Sequence, residues 1–420
     1  MLSVGENPLT DRDHGLGAAL VRALADEPPA PFAVRRFRRL PALVPTLADG
    51  PADGHTGVPS ERGFGGHVDM TNRVVVVGER VVVKWLTPPA VLPQPAPEIL
   101  AHLVDAGFNE TAPPYAVLTR RDGASEVLLA VVTGYLPEAV DGWEWCVEAA
   151  ASGDTEFAPA LGGLAARLHL ALSTLPAGPL GPPDAPVAFG ERADRALAQA
   201  LALMAPDGAS SPAAQGGAPT PAAPGLAEGP SPVGPDVVGP DTGDPGVGEP
   251  GAGVREDGVW LASRAARMRE EMAVLRRPYT GRLIRVHGDL HVGQVLRWRE
   301  GYAVIDFDGN PTVQDAAPYQ PAARDVAQLT TSLQHVAQVA IRRRGTPPER
   351  AHTWSAEARE RMLTAYRSAC DLLDDDLLRP FEVEQECREL IYAARHLPRW
   401  RYAPMGVLRT WYPDVNKDPM

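Results

Sequence analysis

Two acidic motifs on either side of one hairpin restrict what this 420-residue chain can fold into more than any other stretch. The first reads Val286-His-Gly-Asp-Leu-His-Val-Gly-Gln-Val-Leu296, and the second reads Ala303-Val-Ile-Asp-Phe-Asp-Gly-Asn-Pro311. Val295 to Trp298 and Tyr302 to Ile305 are short β-prone runs joined by Arg299-Glu300-Gly301, a turn of hairpin length. The outgoing strand leaves a loop that carries Asp289 and Gln294, and the returning strand ends at Asp306. The spacing therefore predicts that these three side chains converge.

That convergence suits phosphoryl transfer from a metal nucleotide. Asp289 accepts the proton of an attacking hydroxyl, while Gln294 and Asp306 offer hard oxygen ligands to Mg²⁺, which neutralises the nucleotide phosphates. His287 reads as an organiser of the loop. Either motif alone is as readily an ordinary turn or a capped strand end, but the pair at this spacing favours the chemical reading.

A cation for the donor phosphates is the next requirement, and composition points to it. Lysine and arginine total 40, yet only Lys84 and Lys417 are lysines. A lysine kept inside Val81-Val-Val-Lys-Trp85 suggests that a compact ammonium is wanted there, on a strand in the place of the kinase strand lysine. An alternating strand also places such a side chain in solvent. Glu98, in the helical pattern Pro97-Glu-Ile-Leu-Ala-His-Leu103, is the expected partner that aims Lys84, although a glutamate in a first helical turn also suits the helix dipole. Gly63-Phe-Gly-Gly66 lacks a full glycine-rich fingerprint.

The two acidic motifs, together with Leu161-Gly-Gly-Leu-Ala-Ala-Arg-Leu-His169 and Glu389-Leu-Ile-Tyr-Ala-Ala-Arg395, resemble the maltokinase-like branch of the aminoglycoside phosphotransferase superfamily. Within that branch the chain is most similar to actinobacterial glucosamine kinases, over most of residues 60 to 412. The resemblance implies an α+β, bilobal, protein-kinase-like fold with a β-rich amino-terminal lobe and a mostly helical carboxy-terminal lobe. It also implies ATP and Mg²⁺ as cofactors and transfer to glucosamine, giving glucosamine 6-phosphate. Alternatives are maltose phosphorylation, aminoglycoside phosphorylation and a non-catalytic nucleotide-binding scaffold. Maltokinases typically read Asp-Phe-Glu-Gly-Glu-Pro where this chain has Asp306-Phe-Asp-Gly-Asn-Pro311, a change expected to alter the acceptor pocket.

On this reading residues 1–132 form the first lobe, with a small cap over about 1–60; residues 133–137, Thr133-Gly-Tyr-Leu-Pro137, form the hinge; and 138–420 form the helical lobe. Gly134 and Leu136 are the hinge positions expected to meet the adenine edge through their backbone. Between Pro206 and Gly253, 23 of 48 residues are Pro or Gly, with no aromatic or basic residue, so 206–253 is expected to be a disordered insertion. His169 reads as a packed, satisfied histidine, and Asp325 as a helix cap or a brace for the catalytic loop.

The acceptor residues are expected to be Asp289, Asp308, Gln314, Arg324, Glu389 and Trp400. Carboxylates suit a sugar ammonium, and amides or guanidinium groups suit ring hydroxyls. The partners expected are a small amino sugar or sugar acceptor and ATP, with no nucleic acid and no membrane, for a monomer. A net charge of −13 and no long Lys/Arg run argue against a nucleic-acid face. Three cysteines without metal-site spacing and no apolar segment of signal or spanning length point to a cytoplasmic setting.

Overall fold

Valine dominates both arms of a tight hairpin near residue 78, where Gly78 and Glu79 adopt φ of 59° and 50°. Two successive residues at positive φ match the twist of the flanking strands, which is why the chain reverses there without a longer loop. The computed structural model describes residues 3–4, 7–8, 15–24, 28–41, 61–63, 72–176, 187–205, 252–310 and 317–414. They pack as two units: one comprises Met1–Asp141 with Gly293–Pro311, and the other comprises the described parts of 142–292 and 312–420.

In the first unit a six-stranded antiparallel sheet contains β1 (Phe32–Arg36), β2 (Glu61–Gly63), β3 (Arg73–Val77), β4 (Val81–Val91), β5 (Pro114–Asp122) and β6 (Ser125–Gly134), in the order β1-β5-β6-β4-β3-β2. Its core joins Val75, Val77, Val81, Val83, Trp85, Leu118 and Val132 to Leu20, Val21 and Leu24 from α1 (Leu16–Ala23) and the residue after it. The Glu61 carboxylate accepts from Gly15 N at 2.7 Å and from Ala18 N, anchoring the start of α1 to β2. Burial alternates along β4, so Val83 and Trp85 face this core while Lys84 faces the other way. After β4, α2 (Pro95–Asp105) buries Ile99, Leu100 and Leu103.

The expected hairpin is present as β7 (Val295–Trp298) and β8 (Gly301–Val304), paired from Val295↔Val304 to Trp298↔Gly301. Its return begins at Gly301, one residue earlier than expected, because Gly301 adopts φ 121° and closes the turn itself. Val304 bridges Thr111 and Arg297 bridges Val140, while Ala303 packs with Ala112 and Leu136. The hairpin thus belongs to the sheet unit. This corrects the linear division at 132, 137 and 138: the unit boundary lies after Asp141, and 293–311 returns to the first unit because its backbone and apolar face are satisfied there.

The second unit is helical: α3 (Gly142–Ser152), α4 (Ala158–Leu172), α5 (Gly190–Met204), α6 (Ala252–Glu271), α7 (Ala323–Arg344), α8 (Pro348–Ala369), α9 (Asp375–Arg395) and α10 (Tyr402–Trp411). Helix α7 is central, with Val326, Ala327, Leu329, Leu333 and Val336 all fully buried. Where α4 meets α8 the backbones approach so closely that a Cβ at Gly162 would lie 2.0 Å from Met362 O. Residues 206–251 of the expected insertion lie outside the described residues, and α6 already begins at Ala252. Among the described residues no helix is long and apolar enough to cross a membrane.

Candidate active site

Gly288, the glycine of the first motif, adopts φ 85°, a region open to glycine and costly for other residues. The turn it permits aims two successive backbone N–H groups at one carboxylate: His287 N and Gly288 N donate to Asp325 Oδ2 and Oδ1 at 2.7 and 2.9 Å. His169 Nε2 lies 3.2 Å from the same carboxylate, and His169 Nδ1 lies 2.7 Å from the Tyr366 hydroxyl. Burial opposes charge on Asp325, but the His169 contact and the loop N–H groups outweigh it and hold the carboxyl below its ordinary range. Asp325 is therefore a brace of the loop, and His169 is a packed, satisfied histidine, as expected.

The loop so held presents Asp289, which is 2 % exposed. Asp289 Oδ1 accepts from Gln328 Nε2 at 2.6 Å, and Asp289 Oδ2 lies 3.8 Å from His291 Nε2. At the end of the loop Val292 N donates to Ser332 Oγ at 3.1 Å. The His291 ring lies 5.9 Å from Trp143, whose edge meets Trp400 at 5.5 Å. Trp400 Nε1 donates to Glu389 Oε2 at 3.0 Å, and Gln385 Nε2 donates to Glu389 Oε1 at 3.0 Å. An aromatic row thus runs from the buried Asp289 to the carboxylate of Glu389, joining two of the expected acceptor residues to the candidate base within one unit.

Behind Trp400, at 5.6 Å, stands His335, bonded to Glu386 at 3.0 Å. Burial pushes the Glu386 carboxyl up to about 7 against the pull of His335. Burial opposes charge on His335, but Glu386 outweighs it and keeps the imidazole above its ordinary value. The pair retains its protons to higher pH than free side chains would.

In the sheet unit Lys84 Nζ donates to Asp306 Oδ1 at 2.7 Å and to Asp308 Oδ2 at 2.6 Å. Burial alone would lower the lysine pKa, but the two carboxylates outweigh it and raise it above its ordinary value. Burial likewise raises the pKa of Asp308. Asp306 adopts φ 64°, a left-handed conformation that aspartate tolerates better than most residues and that redirects the chain at the end of β8. Gln294 O accepts from Ile305 N at 2.9 Å, so Gln294 stands at the same open end of the hairpin as Asp306. The lysine ammonium shows that this end of the hairpin stabilises positive charge. Asp306 and Gln294 carry hard oxygens of the kind that would suit Mg²⁺.

Three expected site residues are corrected by their contacts. Glu98 bonds Arg35 Nη1 at 2.7 Å on the surface instead of Lys84, because Asp306 and Asp308 already take the ammonium. Arg324 is enclosed, with Nη1 2.8 Å from Glu384 and its guanidinium 3.9 Å over the Phe381 ring, so it serves the α7–α9 core and does not reach for an acceptor. Gly134 N donates to Pro113 O at 2.7 Å and is not the adenine donor. Leu136 buries its side chain with Ala112 and Ala303. Gln314 lies outside the described residues. Gln328, His291 and Trp143 were not anticipated. For Gln328 the signal was present, since it lies one turn beyond Asp325 on the same helix face.

No family model matches the chain. A glucosamine kinase of Streptacidiphilus jiangxiensis is 37% identical over 388 residues, spanning 87% of this chain and 76% of that protein. A glucosamine kinase of Mycolicibacterium smegmatis is 33% identical over 359 residues, spanning 81% and 77% respectively. A solved structure of glucosamine kinase in complex with glucosamine, ADP and inorganic phosphate aligns with a TM-score of 0.65 at 32% identity, over 95% of this chain and 83% of that one. Fold and site define an α+β, kinase-like phosphotransferase that acts on a sugar hydroxyl. Within that class the chain belongs to the glucosamine kinase family.

Proposed function

We propose that the chain transfers the γ-phosphoryl group of ATP to the 6-hydroxyl of glucosamine, giving glucosamine 6-phosphate and ADP. The observation that carries the chemistry is the fixed carboxylate of Asp289, buried on a loop held at both N–H groups by Asp325. A solved relative binds glucosamine and ADP, which supports the same pair of substrates here.

Asp289 orients the acceptor hydroxyl and takes its proton as the oxygen attacks the γ-phosphorus. Lys84 holds the donor phosphates, and the N–H of Leu136 is the hinge donor to the adenine. Asp306 and Gln294, with Asp308 beside them, would hold Mg²⁺, which supplies charge neutralisation on the phosphates when bound. Glu389 receives the ammonium of the amino sugar, and Trp400, bonded to it, keeps that carboxylate directed. Asp308 is the further acceptor contact from the second motif.

A coupled ADP-release assay across glucosamine, glucose, maltose and kanamycin tests this. Glucosamine should exceed glucose and maltose in kcat/KM by on the order of 100-fold, because an acceptor without the amine forfeits the ammonium contact with Glu389. Equal or faster turnover of maltose or kanamycin would overturn the assignment.

A further inference from the structure

Helix α7 holds the catalytic loop at three points along one stripe. Asp325 takes the N–H groups of His287 and Gly288, Gln328 donates to Asp289, and Ser332 accepts from Val292 N. The spacing, three residues and then four, is that of one helix face. Two of these contacts hold backbone, and a loop held only by its backbone leaves the aspartate side chain free to rotate about χ1 and χ2.

Gln328 reaches the side chain itself, by a hydrogen bond. It is 6 % exposed, and its Nε2 lies 2.6 Å from Asp289 Oδ1, within the range of a bond to a charged acceptor. A carboxamide nitrogen donates and cannot take up the proton, so this neighbour holds the carboxylate without competing as a base. We propose that Gln328 is a positioning residue for phosphoryl transfer: its amide fixes the rotamer of the Asp289 carboxylate in the orientation that meets the acceptor hydroxyl. The inference rests on the reading of Asp289 as the base.

Gln328→Met keeps length and approximate volume but removes the donor. Steady-state kinetics should show kcat reduced about 10- to 100-fold, the fraction of turnover that correct orientation of a general base supplies, with KM for glucosamine and for ATP within about 2-fold of the parent. In an Asp289→Asn background the same substitution should cost no more than about 2-fold in residual turnover, since the base that it positions is gone. Should Gln328→Met fail to fold, Gln328→Asn keeps an amide but withdraws it by one methylene, and the same readings apply. Parental kcat in a folded Gln328 variant, alongside an inactive Asp289→Asn, would overturn the positioning role and leave the base intact. A loss carried by the KM for glucosamine would overturn it in favour of a sugar contact. Near-parental turnover of Asp289→Asn would instead remove the base assignment and the inference with it.

Discussion

Lys84 Nζ lies 2.7 Å from Asp306 Oδ1 although the two residues stand 222 positions apart. With Asp308 at 2.6 Å, the ammonium lies between two carboxylates at the end of the hairpin. Lys84→Met should therefore remove the proposed phosphate contact and leave two acids facing each other. We expect KM for ATP to rise about 10-fold and kcat to fall about 100-fold, and Lys84→Arg to recover little, because a planar fork does not replace a compact ammonium. Unchanged ATP kinetics in either variant would remove Lys84 from the donor site.

Glu98 makes the opposite prediction. Its pair with Arg35 joins side chains 64% and 47% exposed, and such pairs are worth at most about 1 kcal/mol. Glu98→Gln should leave both the ATP KM and the urea midpoint near parental values. A KM raised by an order of magnitude would restore the glutamate–lysine pairing expected of the protein-kinase pattern.

Asp325 carries the heaviest stability role. Asp325→Ala strips His287 N, Gly288 N and His169 of their shared acceptor at a fully buried position, a change of the kind that costs about 3 to 5 kcal/mol. Because its pKa is depressed in the folded state, its contribution is present above the ordinary aspartate range and is lost as pH falls through the lower folded value. Urea unfolding should show a large loss for the variant at neutral pH that narrows at strongly acid pH. Equal stability of the two proteins at pH 7 would contradict the brace.

The His335–Glu386 pair predicts a slope of the other sign. Glu386, ordinarily near 4.5, is pushed up to about 7, so the folded chain holds a proton that the unfolded chain has released. That contribution is complete below about 4.5 and is lost as pH rises through about 7. A shift of this size corresponds to at most roughly 3 to 4 kcal/mol. Unfolding free energy should decline between those limits, and Glu386→Gln should flatten the decline; an unaltered slope would assign it to other groups.

Much of the site was legible along the chain because its parts are local. Gly288 needs a positive φ beside Asp289, Gln294 and Ile305 bond across the open end of a short hairpin next to Asp306, and a lone strand lysine in an arginine-rich chain marks itself. Glu98 and Arg324 were misread because each is a competition for partners that sequence does not display. Lys84 was already taken by Asp306 and Asp308, and Arg324 had a buried carboxylate and an aromatic ring within reach.

Sequence alone carried the functional groups that the proposed chemistry uses: two motifs a few residues long hold the proposed base and oxygen ligands, and a strand lysine outside them is the proposed phosphate cation. Only the tertiary structure decided which partner each charge finds. It placed 293–311 with the sheet unit, set Asp325, Gln328 and Ser332 as one stripe against the loop, and ran Trp143 and Trp400 from Asp289 to Glu389. Those contacts join positions tens to hundreds of residues apart. Which of several possible carboxylates, amides or rings comes within about 3 Å of another is fixed by helix packing, not by periodicity.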